Sequence, residues 1–308
     1  IYSPSGAVRD KAAFKRGVAR LKKLGHEVEL DADALSSHTR FAGDDATRLA
    51  AIHRAADSGA NVALISRGGY GLTRILPGIK YKHVAKAIAK GTQFVGLSDF
   101  TAFQLGLLAK TGAVSLSGPM LNYDFGSIDE QGASVTPNQF MWEHFNTAAQ
   151  NRKLDCSVTS PQPFLGRSPK AMLSGLLWGG NLTVVAGLVG TPYLPSNKQT
   201  QGGILFLEDV NEHPYRVERM MMQLLDAGIL ANQSAILLGG FSAYRLYDND
   251  KGYSLERAIE AIRKRLPEEI PILTGLPFGH QANKLTLPVG ASANLSFNSN
   301  GFELKSQW

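Results

Sequence analysis

This chain has little sulfur, no long apolar run and no block of like charge. Cys156 is the only cysteine among its 308 residues. An intrachain disulfide and a metal site built on thiolates are thereby excluded, and a reducing, cytoplasmic compartment is the natural expectation. No stretch approaches the roughly 20 apolar residues of a membrane-spanning helix, so no membrane partner is expected. The opening IYSPSG reads as a strand entering a turn, not as a secretory leader. The formal net charge is +6, but basic residues are interspersed with acidic ones. The densest basic groups, RLKKLG and KYKHVAKAIAK, read as solvated helix faces. A nucleic-acid partner would need such residues gathered on one face, and none is expected. A mild attraction for an acidic substrate is left open.

Hydrophobic residues make up 44% of the chain and charged residues 19%, enough for a substantial core, and 32 glycines suit many strand-to-helix turns. The first half alternates strand and helix. KAAFKRGVARLKKLG and DDATRLAAIHRAADSG have helical spacing and close on Gly. HEVEL, ANVALIS, QFVGL and AVSLSG read as strands, with FTAFQLGLLAKTG a helix before the last. This rhythm predicts an α/β fold, a parallel sheet with helices on both faces. The pattern fades from about Asn122 to Pro163. The division expected is therefore 1–125 for an N-terminal α/β domain, 126–163 for a bridging segment and 164–308 for a C-terminal β-rich domain. In that last part SGLLWGGN, GGILFLED, SAILLGG, IPILTGLPFG and KLTLPVGASANLSFNSNGFEL read as extended. Two helices interrupt them, one from Pro214 with the apolar stripe Val217, Met220, Met221, Leu224 and Leu225, the other SLERAIEAIRKRLP.

Chemistry concentrates at the ends of these strands. Ser98, in GLSDFTA, follows an apolar strand and opens a helix. It is either the helix's N-cap or a nucleophile at the strand–helix turn, where the first N–H groups face any developing negative charge. In the second case the Asp99 amide is one oxyanion donor. The G-x-S-x-G elbow is absent, because Phe100 stands where its second Gly would be. SRGGYG, Ser66 to Gly71, follows another strand of the same sheet; it is either a tight turn or a loop whose amides approach a ligand. Ligands bind beyond the carboxyl ends of such strands, so the two features are expected to share a cleft. Seven histidines are candidate bases. Those in polar helical or loop settings read as surface residues and His213 as a helix-start residue, while His280 ends an apolar strand at a Gly turn. Glu208 and Asp209 end GGILFLED. Alternation sends them to opposite sides without saying which faces the cleft.

Taken together, RGGYG, GLSDFTA, SGPM, LWGGNL, GTPY, LEDVNEHPYRVERM and GLPFGH resemble, nearly end to end, the LD-carboxypeptidases of serine peptidase family S66, the bacterial murein tetrapeptide carboxypeptidases. The resemblance implies a Ser–His–Glu triad of Ser98, His280 and Glu208. It also implies a flavodoxin-like or class I glutamine-amidotransferase-like N-terminal domain, a smaller β-rich C-terminal α+β domain, an active site between them, a homodimer and a role in cell-wall recycling. The mechanism it implies uses the Asp99 and Gly69 amides as oxyanion hole and needs no metal or cofactor. Arg67 and Arg74 are candidates for the substrate's terminal carboxylate, and Trp178 and Asn181 for lining the cleft, with Asn181 touching substrate. Two other readings stand beside this one: an immunity peptidase of the microcin C type from the same family, and a non-catalytic muropeptide- or sugar-phosphate-binding protein.

Overall fold

The computed structural model describes residues 1–129, 131–132, 136–160, 163–164, 172–298 and 300–308. Its strands, in chain order, are β1 (Val62–Leu64), β2 (Gln93–Gly96), β3 (Ser115–Ser117), β4 (Lys153–Thr159), β5 (Met172–Asn181), β6 (Gly203–Val210), β7 (Gln233–Ser242), β8 (Ile272–Leu273), β9 (Leu287–Val289), β10 (Ser292–Asn298) and β11 (Gly301–Gln307). They form two sheets, ordered β1-β2-β3-β9 and β4-β11-β10-β5-β6-β7-β8.

In the first sheet β1, β2 and β3 are parallel, and β9 pairs antiparallel with β3, Ser117 facing Leu287. Successive side chains leave a strand on opposite faces, and both faces here are covered. Leu64, Val95 and Leu116 pack with Phe14 and Leu21 of the helix Lys11–Lys23 and with Phe145 of the helix Gln139–Asn151. Ala63, Ile65 and Phe94 pack with Ile52, Val84 and Phe103, from the helices Asp45–Asp57, Tyr81–Ala89 and Phe100–Thr111. Helix starts follow the local chemistry: Asp10 and Asp44 accept from the Ala13 and Thr47 amides at 2.8 and 2.7 Å.

The second sheet is parallel from β5 to β8 and antiparallel from β5 out to β4. The helices Leu182–Gly187, Pro214–Asp226 and Leu255–Arg263 lie in its parallel crossovers. The Met residues of the second helix are core: Met220 and Met221 pack in the same cluster as Trp178, Phe206 and Phe103. One apolar core thus runs through both sheets, and β9 carries a late stretch of the chain back to the edge of the first.

Some local expectations fail. HEVEL is not a strand: residues 26–30 are almost wholly exposed and pair with no sheet. Within IPILTGLPFG only Ile272–Leu273 joins a ladder. The faded region from Asn122 to Pro163 holds a helix, with Met141, Phe145 and Ala148 on its buried stripe, and a strand whose Leu154, Cys156 and Val158 alternate inward. Residues 130, 133–135 and 161–162 of the bridging segment and 165–171 beyond it lie outside the described residues.

Candidate active site

β2 stops at Gly96 and the helix begins at Phe100, so the turn between them has three residues. It is tight because the helix folds straight back onto its strand: a Cβ on Gly96 would sit 2.6 Å from Phe100 Cδ1. Ser98 takes up the turn at φ +69°, a left-handed conformation uncommon for a residue with a Cβ. The carbonyl of Ser98 accepts the Thr101 amide at 2.9 Å. Ser98 is not the helix cap. That position belongs to Asp99, and no side chain caps there.

The Asp99 carboxylate turns inward instead. It accepts from the Ser5 hydroxyl and from the Leu72 amide, the latter at 3.0 Å. Burial pushes its pKa above the ordinary carboxylate value, and those two hydrogen bonds oppose the shift. One buried acid thus ties the Ser98 turn to the N-terminal loop and to Leu72, directly after SRGGYG. That loop lies directly against the serine: a Cβ on Gly68 would come within 2.7 Å of Ser98 Cβ and 3.0 Å of its Oγ. The Gly68 carbonyl accepts from the Gly6 amide at 3.1 Å, and Gly69 follows at φ +118°. Among the described residues, neither the Gly69 nor the Asp99 amide donates to a backbone or side-chain acceptor.

Glu208 comes from the second sheet and His280 from the loop between β8 and β9. Glu208 on β6 is fully buried, and its Oε2 lies 2.8 Å from His280 Nδ1. His280 reaches it because Gly279 passes close by; a Cβ there would be 2.9 Å from Glu208 Oε2. The Tyr123 hydroxyl donates to the His280 carbonyl at 3.3 Å. Next to Tyr123, Asp124 forms a buried ion pair with Lys284 at 2.8 Å, and Lys284 Nζ sits 4.7 Å over the Tyr123 ring. The loop carrying His280 is therefore fastened to the segment that follows β3.

Glu208 and Asp209 do not part company as alternation predicts. Asn181, which pairs with Glu208 across β5 and β6, donates from Nδ2 to Glu208 Oε1 at 3.2 Å and to Asp209 Oδ1 at 3.0 Å. Opposite these residues β7 carries an extra residue, Leu207–Asp209 of β6 facing Leu238–Phe241. Asp209 is otherwise held by the Thr183 amide and hydroxyl, both at 2.8 Å. Burial raises its pKa, with repulsion from Glu208 adding to the rise.

The structure brings Glu208 and His280 into contact. Among the described residues it forms no hydrogen bond between the Ser98 hydroxyl and the His280 ring. The other predicted residues divide. Asn181 is 6% exposed, and its Oδ1 caps the helix Leu182–Gly187 through Val184 while its Nδ2 serves the two acids. Its backbone N–H, side-chain oxygen and side-chain nitrogen are all engaged within the protein. Trp178 is buried, with Nε1 on Gln233 at 2.8 Å, and does not line a cleft. Arg74 forks onto Asp45. Arg67 is half-buried against the Ala7 carbonyl at 3.1 Å, and burial, with Arg9 and Arg40 nearby, lowers its pKa. His213 caps its helix through Tyr215 and pairs with Asp250 at 3.0 Å. Among the described residues no group of three His, Cys, Asp or Glu could hold a metal, and no helix is long and apolar enough to cross a membrane. Sequence reasoning missed Thr101, Tyr123 and the Asp99 side chain; Thr101 lies inside GLSDFTA and Tyr123 shortly after SGPM, and neither residue type signals its contact.

Comparison with known proteins points one way. Residues 1–118 match the family model of the LD-carboxypeptidase N-terminal domain, and residues 174–295 that of the C-terminal domain. A putative carboxypeptidase of Synechocystis is 33% identical over 96% of this chain and 90% of its own length. A solved muramoyltetrapeptide carboxypeptidase from Oxalobacter formigenes is 40% identical with a TM-score of 0.86, covering 100% of this chain and 97% of that one. The microcin C7 self-immunity protein MccF, solved with aspartyl sulfamoyl adenosine, has a TM-score of 0.83 at 22% identity over 100% of this chain and 95% of its own, which is a likeness of fold.

Proposed function

The chain belongs to the LD-carboxypeptidase family, and from that premise we propose that it is a serine carboxypeptidase releasing the terminal D-alanine of murein tetrapeptides by a Ser98–His280–Glu208 triad. Ser98 Oγ attacks the carbonyl that joins the L-centre of the diamino acid to D-alanine. His280 takes the serine proton on Nε2 and returns it to the leaving amine. Glu208, held at Nδ1, fixes the tautomer and stabilises the imidazolium. The Asp99 and Gly69 amides receive the oxyanion, each such donor contributing about 10²–10³ in rate. Water then attacks the acyl-enzyme by the same proton transfers in reverse order.

The observation that carries this reading is the buried Glu208–His280 contact at 2.8 Å. The left-handed turn at Ser98 supports it, because strained backbone of this kind clusters at active sites. Arg67, with Arg9 and Arg40 beside it, is the group suited to the free terminal carboxylate, which would relieve the mutual repulsion of three cations. The reading extends to a homodimer, to the division at 1–125, 126–163 and 164–308, and to a cytoplasmic place in cell-wall recycling.

Incubation with a purified murein tetrapeptide, with free D-alanine followed by mass spectrometry, tests it. Wild type should release D-alanine and S98A should not. Preferential cleavage of a microcin C-type peptide–nucleotide would move the chain to the immunity branch. Muropeptide binding without turnover would make it a binding protein.

A further inference from the structure

Two halves of the chain supply the reacting groups, and something must fix the spacing between them. Thr101 is the side chain built for that. It lies in the first turn of the helix that Ser98 opens and is fully buried. Its amide donates to the Ser98 carbonyl at 2.9 Å, and its hydroxyl oxygen accepts the Asn181 amide at 3.0 Å. Asn181 is the last residue of β5, and its own side chain grips Glu208, which holds His280. A continuous run of hydrogen bonds therefore leads from the nucleophile turn to the base. Thr101 Oγ1 is the atom at which it crosses from the first sheet's helix to the second sheet.

The contact is made possible on both sides. Gly180 stands at φ +138°, and a Cβ there would come 2.4 Å from Thr101 Oγ1, so only glycine lets the helix close on β5. A β-branched side chain has few χ1 wells, so Thr holds its oxygen in place at little entropic cost.

We infer that Thr101 is a positioning residue whose hydroxyl, through the Asn181 amide, sets the distance between Ser98 and His280; this rests on the triad reading above. A displacement of about 1 Å between reacting groups costs on the order of 10²-fold in rate. Thr101→Val preserves shape and removes the oxygen. It should lower kcat about 10–100-fold per folded molecule while KM stays within about threefold. Labelling of Ser98 by a fluorophosphonate should slow by a similar factor, since that reaction needs the same serine–histidine geometry. Thr101→Ser keeps the oxygen and should restore kcat to within about fivefold of wild type. Should the Val variant not fold, Thr101→Ala removes the same oxygen and carries the same expectation.

Normal kcat and normal labelling in the folded Val or Ala variant overturn the inference, as does a Ser variant no better than Val. Ser98→Ala, run alongside, separates the two claims. If it is inactive while Thr101→Val is normal, the triad stands and the positioning role falls. If it still releases D-alanine, the triad reading itself fails.

Discussion

Replacing Glu208 with Gln preserves the length and shape of the side chain and removes its charge, and the surrounding contacts dictate the consequence. Glu208 Oε1 accepts from Asn181 Nδ2 at 3.2 Å, and Oε2 faces His280 Nδ1 at 2.8 Å. The Asn181 nitrogen can only donate, and its amide cannot turn round, because Oδ1 already caps Val184. In E208Q the new carbonyl oxygen must therefore face Asn181, since two NH₂ groups in contact repel. The new NH₂ then faces Nδ1 and donates to it. Nδ1 becomes the acceptor and the ring proton moves to Nε2, the atom that has to receive the serine proton. The imidazole is held in the tautomer that cannot act as base. A wrong tautomer of this kind costs about 10⁴ in kcat, or about 5.4 kcal/mol at 1.36 kcal/mol per tenfold. KM should hardly move, because no contact to the substrate is removed, and the thermal midpoint should stay close to wild type. Steady-state release of D-alanine from the tetrapeptide, read by mass spectrometry, measures both constants. An E208Q enzyme within tenfold of wild-type kcat would refute the tautomer argument and with it the role given to the Glu208–His280 pair.

Two further outcomes are expected. Arg67→Met should raise KM for the tetrapeptide about 10–100-fold with kcat little changed. Amidating the substrate's terminal carboxylate should harm wild type and leave the variant indifferent; equal harm to both would remove Arg67 from carboxylate recognition. Asp99 has a folded pKa raised above its ordinary value of 3.8, chiefly by burial. It binds its proton more readily folded than unfolded, so the stability it contributes is complete below 3.8 and is lost as pH rises through the higher folded value. Asp99→Asn abolishes that loss, and its urea midpoint relative to wild type should improve between about pH 4 and pH 7. A gap that stays constant or widens would contradict the assignment.

Much of the scaffold was legible because it depends on local pattern, whereas the candidate triad residues were singled out by motif resemblance. ANVALIS and QFVGL read as buried parallel strands, and that is where β1 and β2 lie. The helix Gln139–Asn151 and β4 were equally legible in principle, through Met141, Phe145 and Ala148 at helical spacing and Leu154, Cys156 and Val158 in alternation. The polar stretch before them masked the signal. HEVEL failed for the opposite reason: it has the composition of a strand, but its strand-like backbone pairing is limited to Ile1, through Glu29 and Asp31, and no ladder forms among the described residues.

What local pattern could not supply was the choice between equivalent neighbours, since that choice is made laterally. Glu208 and Asp209 are both buried acids at one strand end. Glu208 is the one that meets His280, because the Gly279 turn passes over it, while Thr183 occupies Asp209. Likewise a Ser ahead of a helix is ordinarily a cap. Ser98 escapes that role because Gly96 lets Phe100 fold so close to the strand that the turn has to go left-handed. In each case glycine decides: at Gly68, Gly180 and Gly279 a missing Cβ lets a backbone come against Ser98, Thr101 and Glu208, and at Gly96 it lets Phe100 close on its own strand. Asn181 and Thr101 then lock what those approaches allow. An alanine at Gly279 would accordingly strike at Glu208 Oε2, 2.9 Å from its Cβ, so the site's arrangement depends on these small residues as much as on the proposed triad.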